Sequence, residues 1–226
     1  MNDNAWQEAV EILRPHVVRL ATPDHAGTGF LFSYAADGGI CGIATAAHAL
    51  HQASLWEQPI RLEHFSTGSE RLLRHGDRSI VVDEKTDTAA LVFLRDDFPL
   101  PDTVLPVTPG TMNYRVGVEI GWVGFPAVAR DQLCFFSGRI SAWLEEEQAY
   151  LVDGVAINGV SGGPAFGFDD RGRPVLLGVV SAYLPNKALG GTLPGVSVVQ
   201  HIGHLAKWVT SLRSLENGDS TPPPED

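Results

Sequence analysis

From residue 16 to residue 94 the chain repeats one pattern, a short β-favouring run closed by a cluster of turn residues. The runs are His16–Ala21, Gly29–Phe32, Ile40–Thr45, Pro59–Phe65, Glu70–Arg74, Ser79–Asp83 and Thr88–Leu94, with Pro23–Gly29 and Asp37-Gly38-Gly39 among the turns. Short strands at regular spacing restrict the fold to a β-barrel or a sandwich. A second series occupies Val116–Val123, Leu133–Trp143, Gln148–Val152, Val175–Ser181 and Gly195–Gln200. Between the two lies 96–113, where Pro99, Pro101, Pro106 and Pro109 predict a linker laid over the surface. Each end carries a helical pattern. Trp6, Ala9, Val10 and Leu13 share one face of a helix over 4–14 that stops at Pro15, and Ile202, Leu205, Val209 and Leu212 share one face near the C-terminus. The polar tail Glu216–Asp226, with Pro222-Pro223-Pro224, is expected to be disordered.

A chain of 226 residues can bury a core for one domain or two small packed barrels, and 44% apolar residues fit a globular protein. The formal charge of −11 argues against nucleic acid or an anionic membrane as partner, since either needs a basic patch. Met1-Asn2-Asp3-Asn4 has neither the basic nor the apolar segment of a secretory signal, and no apolar run reaches the length of a membrane span. Two cysteines, Cys41 and Cys134, lie far apart; the expectation is two buried free thiols in a reducing cytosol. No metal-ligand spacing is present, so neither a metal nor another cofactor is expected.

The stretch Asn158-Gly159-Val160-Ser161-Gly162-Gly163-Pro164 suits neither a helix nor a strand centre. It suits a tight turn that exposes the Ser161 hydroxyl and directs the N–H groups of Gly159 and Ser161 into one small space. That is a layout for a nucleophile beside an oxyanion hole, although turn chemistry alone also accounts for it. A serine hydroxyl needs a base to take its proton, a role that suits histidine. Of eight histidines, His48 in Thr45-Ala46-Ala47-His48 stands where an apolar strand turns into a short helix; a satisfied core histidine would look the same. The base needs an acid to orient it. Asp87, just before the strand Thr88-Ala89-Ala90-Leu91, would be drawn inward as that strand is buried, whereas Asp83 beside Glu84 and Lys85 reads as solvated.

Thr-Ala-Ala-His, Asp-x-Ala-Leu and Gly-x-Ser-Gly-Gly-Pro, in that order, resemble the trypsin/chymotrypsin-like serine peptidases, particularly their bacterial disulfide-free branch. The resemblance runs from about His16 to Leu212 and includes the Gly124-Phe125-Pro126 turn. It implies an all-β fold of two six-stranded antiparallel barrels with a short helix at each end: the N-terminal helix in 1–15, the first barrel in 16–98, a linker in 99–115, the second barrel in 116–200 and the C-terminal helix in 201–215. It makes Ser161 the nucleophile, His48 the general base and acid, and Asp87 the orienting carboxylate. The backbone N–H groups of Gly159 and Ser161 would form the oxyanion hole. Ser181-Ala182-Tyr183 would pair with an extended substrate backbone. Val155 would floor the primary pocket, with Tyr183 and Gly195 as walls, favouring a small or medium apolar residue before the scissile bond. The partner implied is a protein or peptide substrate, and the Pro-rich tail is compatible with attachment to a regulatory or signalling module.

One departure stands out. Secreted members order this loop through a new N-terminus that pairs with an aspartate just before the serine, and here that position is Val160. The loop must be held by other means, and an activity regulated by its ordering is one expectation. A catalytically silent, peptide-binding relative and a small-substrate esterase are the competing readings.

Overall fold

The computed structural model describes residues 3–107, 114–186, 193–206 and 208–209; for 3, 36, 182–186 and 193–195 the backbone alone is described. Helix α1, Asp3–Leu13, is followed by a 3-10 turn at Arg14–His16. Seven strands come next: β1 Val17–Ala21, β2 Ala26–Ala35, β3 Ile40–Ala46, β4 Ile60–His64, β5 Ser69–Leu73, β6 Arg78–Asp83 and β7 Thr88–Leu94. Helix α2, Ala47–Leu55, interrupts them after β3. All pair antiparallel in one sheet ordered β5-β4-β1-β2-β3-β7-β6. The resemblance implies six strands in this half, and the structure has the seven that the run-by-run reading yields.

The second half holds β8 Glu119–Gly124, β9 Cys134–Leu144, β10 Ala149–Asp153, β11 Pro164–Phe168, β12 Pro174–Asn186 and β13 Leu193–His201. These close into a six-stranded antiparallel barrel in the order β10-β13-β12-β11-β8-β9. A helical stretch at 203–206 and 208–209 comes after it; the expected remainder of that helix and the tail lie outside the described residues.

Three apolar clusters hold this together. One fills the first half, around Leu20, Leu31, Ile43, Leu62 and Leu91. Another fills the second, around Trp122, Tyr150, Val152 and Leu177. The third joins the halves: Phe30 and Ala44 from the first meet Val123, Phe166 and Val179 from the second, with Ala9 and Leu13 of α1 and Leu205 sealing it. Each fully buried large side chain contributes roughly 1.5–3 kcal/mol, so this shared core fixes the two halves against each other. Helix α1 therefore packs against the outside of the fold by one face, burying Ala9 and Leu13 while Gln7, Glu8, Glu11 and Ile12 stay exposed; Trp6 lies edge-on to Phe166 and Phe168. The expected linker 96–113 is not wholly superficial, because within its described part Phe98, Leu100 and Leu105 are buried.

Candidate active site

The ladder between β3 and β7 ends with Ala46 opposite Thr88. The chain leaves β3 forward into Ala47 and His48 and enters β7 from Asp87, so the expected base and acid emerge at one end of one strand pair. Helix α2 has no capping side chain of its own at Ala46. Asp87 caps it from across the turn: its backbone carbonyl accepts the Ala47 N–H at 3.0 Å, and its Oδ1 accepts the His48 N–H at 3.0 Å. Two of the orphan donors that begin any helix are thereby satisfied. Asp87 adopts φ +48°, a left-handed conformation that aspartate tolerates better than most residues.

The same carboxylate grips the imidazole. His48 Nδ1–H donates to Asp87 Oδ1 at 3.0 Å and Oδ2 at 2.9 Å, which fixes the tautomer and leaves Nε2 without a partner among the described residues. A further donor arrives from the second barrel, as Ser181 Oγ–H reaches Asp87 Oδ2 at 2.5 Å. Burial pushes the Asp87 carboxyl up, but the hydrogen bonds from His48 and Ser181, with the His48 charge, outweigh it and hold it below the usual carboxylate value. Asp83, the competitor, spends its Oδ1 on the N–H groups of Lys85 and Thr86 and takes no part.

Ser161 sits in the loop between β10 and β11. Gly162 has φ +87°, and a Cβ there would lie 2.0 Å from the Thr28 carbonyl oxygen and 2.1 Å from Thr45 Oγ1, so only glycine lets the loop press against the first sheet. Gly159, at φ +93°, would place a Cβ 2.3 Å from the Phe125 carbonyl oxygen. The Asn158 carbonyl accepts the Ala127 N–H at 2.7 Å. In a trans peptide C=O and N–H point opposite ways, so the Gly159 N–H is turned away from Ala127. Neither it nor the Ser161 N–H has a hydrogen-bond partner among the described residues.

His48, Gly159 and Ser161 line one cavity of about 620 Å³, together with Gly27, Phe125, Ala127 and Asn158. No hydrogen bond joins Ser161 Oγ to His48 among the described residues, so the expected row of three is closed between His48 and Asp87 and open at the hydroxyl. Val155 is 42% exposed and does not line this cavity. The backbones of Ala182 and Tyr183 pair with Val198 and Ser197 on one side. On the other side β11 pairs with β12 only up to Val179, with Val180 bonded to Gly162 and Gly163, so the edge beyond Val180 has no strand partner among the described residues. Gly195 lies within β13. The side chains of Ala182 and Tyr183, and with them the expected pocket wall, lie outside the described residues.

Two contributors escape the sequence reading. Ser181, expected for its backbone, acts through its hydroxyl on Asp87. Thr28, which reads as part of a turn, is fully buried in β2 and bonded to the Ser161 loop. A polar residue flanked by Gly27 and Gly29 at the head of an apolar run is the available signal.

A paired β-sheet and β-barrel with an Asp–His pair facing a loop serine define the chymotrypsin-like class of fold. The profile of the trypsin-like peptidase domain matches residues 27–179. The chain belongs to that family, and with it to the serine peptidases. Solved structures agree on the fold. A serine endoprotease from Yersinia pestis superposes with TM-score 0.67 at 20% identity, over 92% of this chain and 66% of that one. The chain thus spans just under two thirds of that protein. Deg5 gives TM-score 0.67 at 17% identity over 92% of this chain and 94% of that one. An inactive-form mutant of Rv3671c from M. tuberculosis gives 0.60 at 18% identity over 96% and 93%. No curated protein matches the chain by sequence.

Proposed function

We propose that the chain is a serine endopeptidase working through Ser161, His48 and Asp87. Ser161 Oγ attacks the scissile carbonyl carbon while His48 Nε2 takes its proton. The resulting oxyanion accepts hydrogen bonds from the N–H groups of Gly159 and Ser161. His48 then returns the proton to the leaving amine as the C–N bond breaks, giving an acyl-enzyme and an imidazole ready to activate water for the second half. Asp87 stays ionised throughout and holds the Nδ1–H.

The observation that carries this reading is the bidentate Nδ1–carboxylate contact, which leaves Nε2 free in the cavity that Ser161 lines. Catalytic hydrogen bonds are often long without substrate and tighten in the complex, which accommodates the open link at Ser161. The open edge of β12 after Val180 fits pairing with an extended peptide. Val155 as a floor selecting small apolar residues rests on the family resemblance, as does control by a partner through loop ordering; the tie from Asn158 to Ala127 favours a hole formed in advance. The free thiols of Cys41 and Cys134 suit a reducing compartment.

Labelling by a fluorophosphonate, abolished in Ser161→Ala, tests the reading. The open Ser161–His48 link favours one alternative, a silent peptide-binding module, which predicts no labelling of the wild type and peptide affinity unchanged in Ser161→Ala.

A further inference from the structure

Val160 leaves the Ser161 loop without the ion pair that an aspartate would allow. Its side chain is fully buried among Trp122, Ala165 and Val180 of the barrel core. The loop is nevertheless tied down at four successive carbonyls: Asn158 by Ala127, Val160 by Gly163 within the loop, and Gly159 and Ser161 by Thr28 of the other half. We infer that Thr28 of β2 is the positioning residue that holds the oxyanion loop with its N–H groups free. This deepens the peptidase reading and rests on it.

Thr28 is fully buried and every polar atom it has is engaged. Its N–H donates to the Ser161 carbonyl at 2.9 Å. Its hydroxyl donates to the Gly159 carbonyl at 2.8 Å and accepts the Phe125 N–H at 3.0 Å. Its own carbonyl accepts the Thr45 hydroxyl at 2.7 Å. A hydroxyl has one proton, so donation to Gly159 and acceptance from Phe125 fix its direction. The Phe125 bond secures the segment whose Ala127 N–H binds the Asn158 carbonyl. The carbonyls of Asn158, Gly159 and Ser161 are thus all occupied, by Ala127 and by Thr28. Turning over the Asn158–Gly159 peptide would break the Ala127 bond, and drifting of the next peptide would break the Thr28 bond. The second loss costs more, because the Thr28 hydroxyl is fully buried whereas Asn158 and Ala127 are exposed and water can replace their bond. The first sheet therefore does for this loop what a charged N-terminus does in secreted relatives.

Four substitutions test this, read by peptide hydrolysis, by inhibition with a peptidyl boronate that forms a tetrahedral adduct on the serine, and by thermal unfolding. Thr28→Val keeps the branched shape and loses the hydroxyl. It is expected to lower kcat about 100-fold, the lower end of the cost of one oxyanion donor, to weaken boronate inhibition to a similar degree, and to leave KM within threefold. Thr28→Ser, which restores the hydroxyl, is expected to stay within threefold of wild type in all three. Tyr34→Phe removes a hydrogen bond to the Pro101 carbonyl on the far side of the first half, and is expected to lower the melting temperature without changing kcat. A folded Thr28→Val with wild-type kcat and boronate affinity overturns the proposal. Thr28→Ala supplies a second hydroxyl-free variant; if neither it nor Thr28→Val folds while Thr28→Ser does, Thr28 is a stability residue and the proposal is likewise overturned. Failure of the wild type to take a fluorophosphonate would instead retire the peptidase reading itself.

Discussion

Replacing Ser181 with alanine removes one of the donors that meet on the Asp87 carboxylate, the others being the backbone and ring N–H groups of His48. A hydrogen bond to a charged group contributes about 1.5–3 kcal/mol. The Asp87 side chain is 26% exposed, so water can replace part of the lost bond and the lower figure applies. Asp87 matters most when the imidazolium forms beside it. About 1.5 kcal/mol expressed in that transition state lowers kcat/KM roughly tenfold. The effect on acid stability has a definite sign. Because the folded Asp87 carboxyl is held below its ordinary value, its ionised form stabilises the fold above the ordinary carboxylate range, and that stabilisation is lost as pH falls through the folded value. Without Ser181 the folded value rises, so acid unfolding begins at higher pH. The assay is kcat/KM on a chromogenic peptide together with an acid-unfolding curve for Ser181→Ala and wild type. If kcat/KM stays within twofold and the acid midpoint does not move, Ser181 is no support for Asp87 and the reasoning fails.

Asp87→Asn preserves shape but offers an N–H where Nδ1–H needs an acceptor; kcat should fall by about 10⁴, the scale set by the same change in a comparable triad, with KM little altered in steady-state kinetics. Gly159→Ala meets both a positive φ and the Phe125 carbonyl, so it should cost about 100-fold in kcat and lower the melting temperature more than Gly172→Ala. Gly172 has φ +75° but open space around it, and should show only the conformational cost of about 1–2 kcal/mol in a melting experiment, with activity intact. Burial pushes the Cys41 thiol up to about 12, whereas Cys134 is half-buried. Iodoacetamide should therefore modify Cys134 and spare Cys41 in the native protein, as peptide mass mapping will report.

Much of this molecule is readable from its residues. The run Thr88–Leu94 is β7 without adjustment, α1 begins and ends within a residue of the expected 4–14, and Asp87 is separable from Asp83 by the apolar strand it introduces. The features that escape a local reading are tertiary in origin. Strand β11 starts at Pro164 shortly after Gly159, Gly162 and Gly163, so locally it reads as turn; a proline is tolerated there because it takes the first strand position. The head of β2 reads as turn for its glycines. Yet Gly29 is there because a side chain would collide with Ile43 and Leu20, a crowding visible only once the strands are paired. Phe98 and Leu100 look like linker residues because proline spacing reports local stiffness and says nothing about the core beneath. Cys134, expected to be buried, is half-buried because β9 alternates one face outward.

The β3–β7 ladder that ends at Ala46 and Thr88 has a consequence for how the protein is made. A slip of two residues would keep every side chain on its own face, and much of the apolar burial would survive. It would also carry the acid about 7 Å along its neighbour, out of reach of the ring. Misassembled molecules would then be compact yet inert, so covalent capture of the serine would count correctly zippered chains where circular dichroism could not tell them apart.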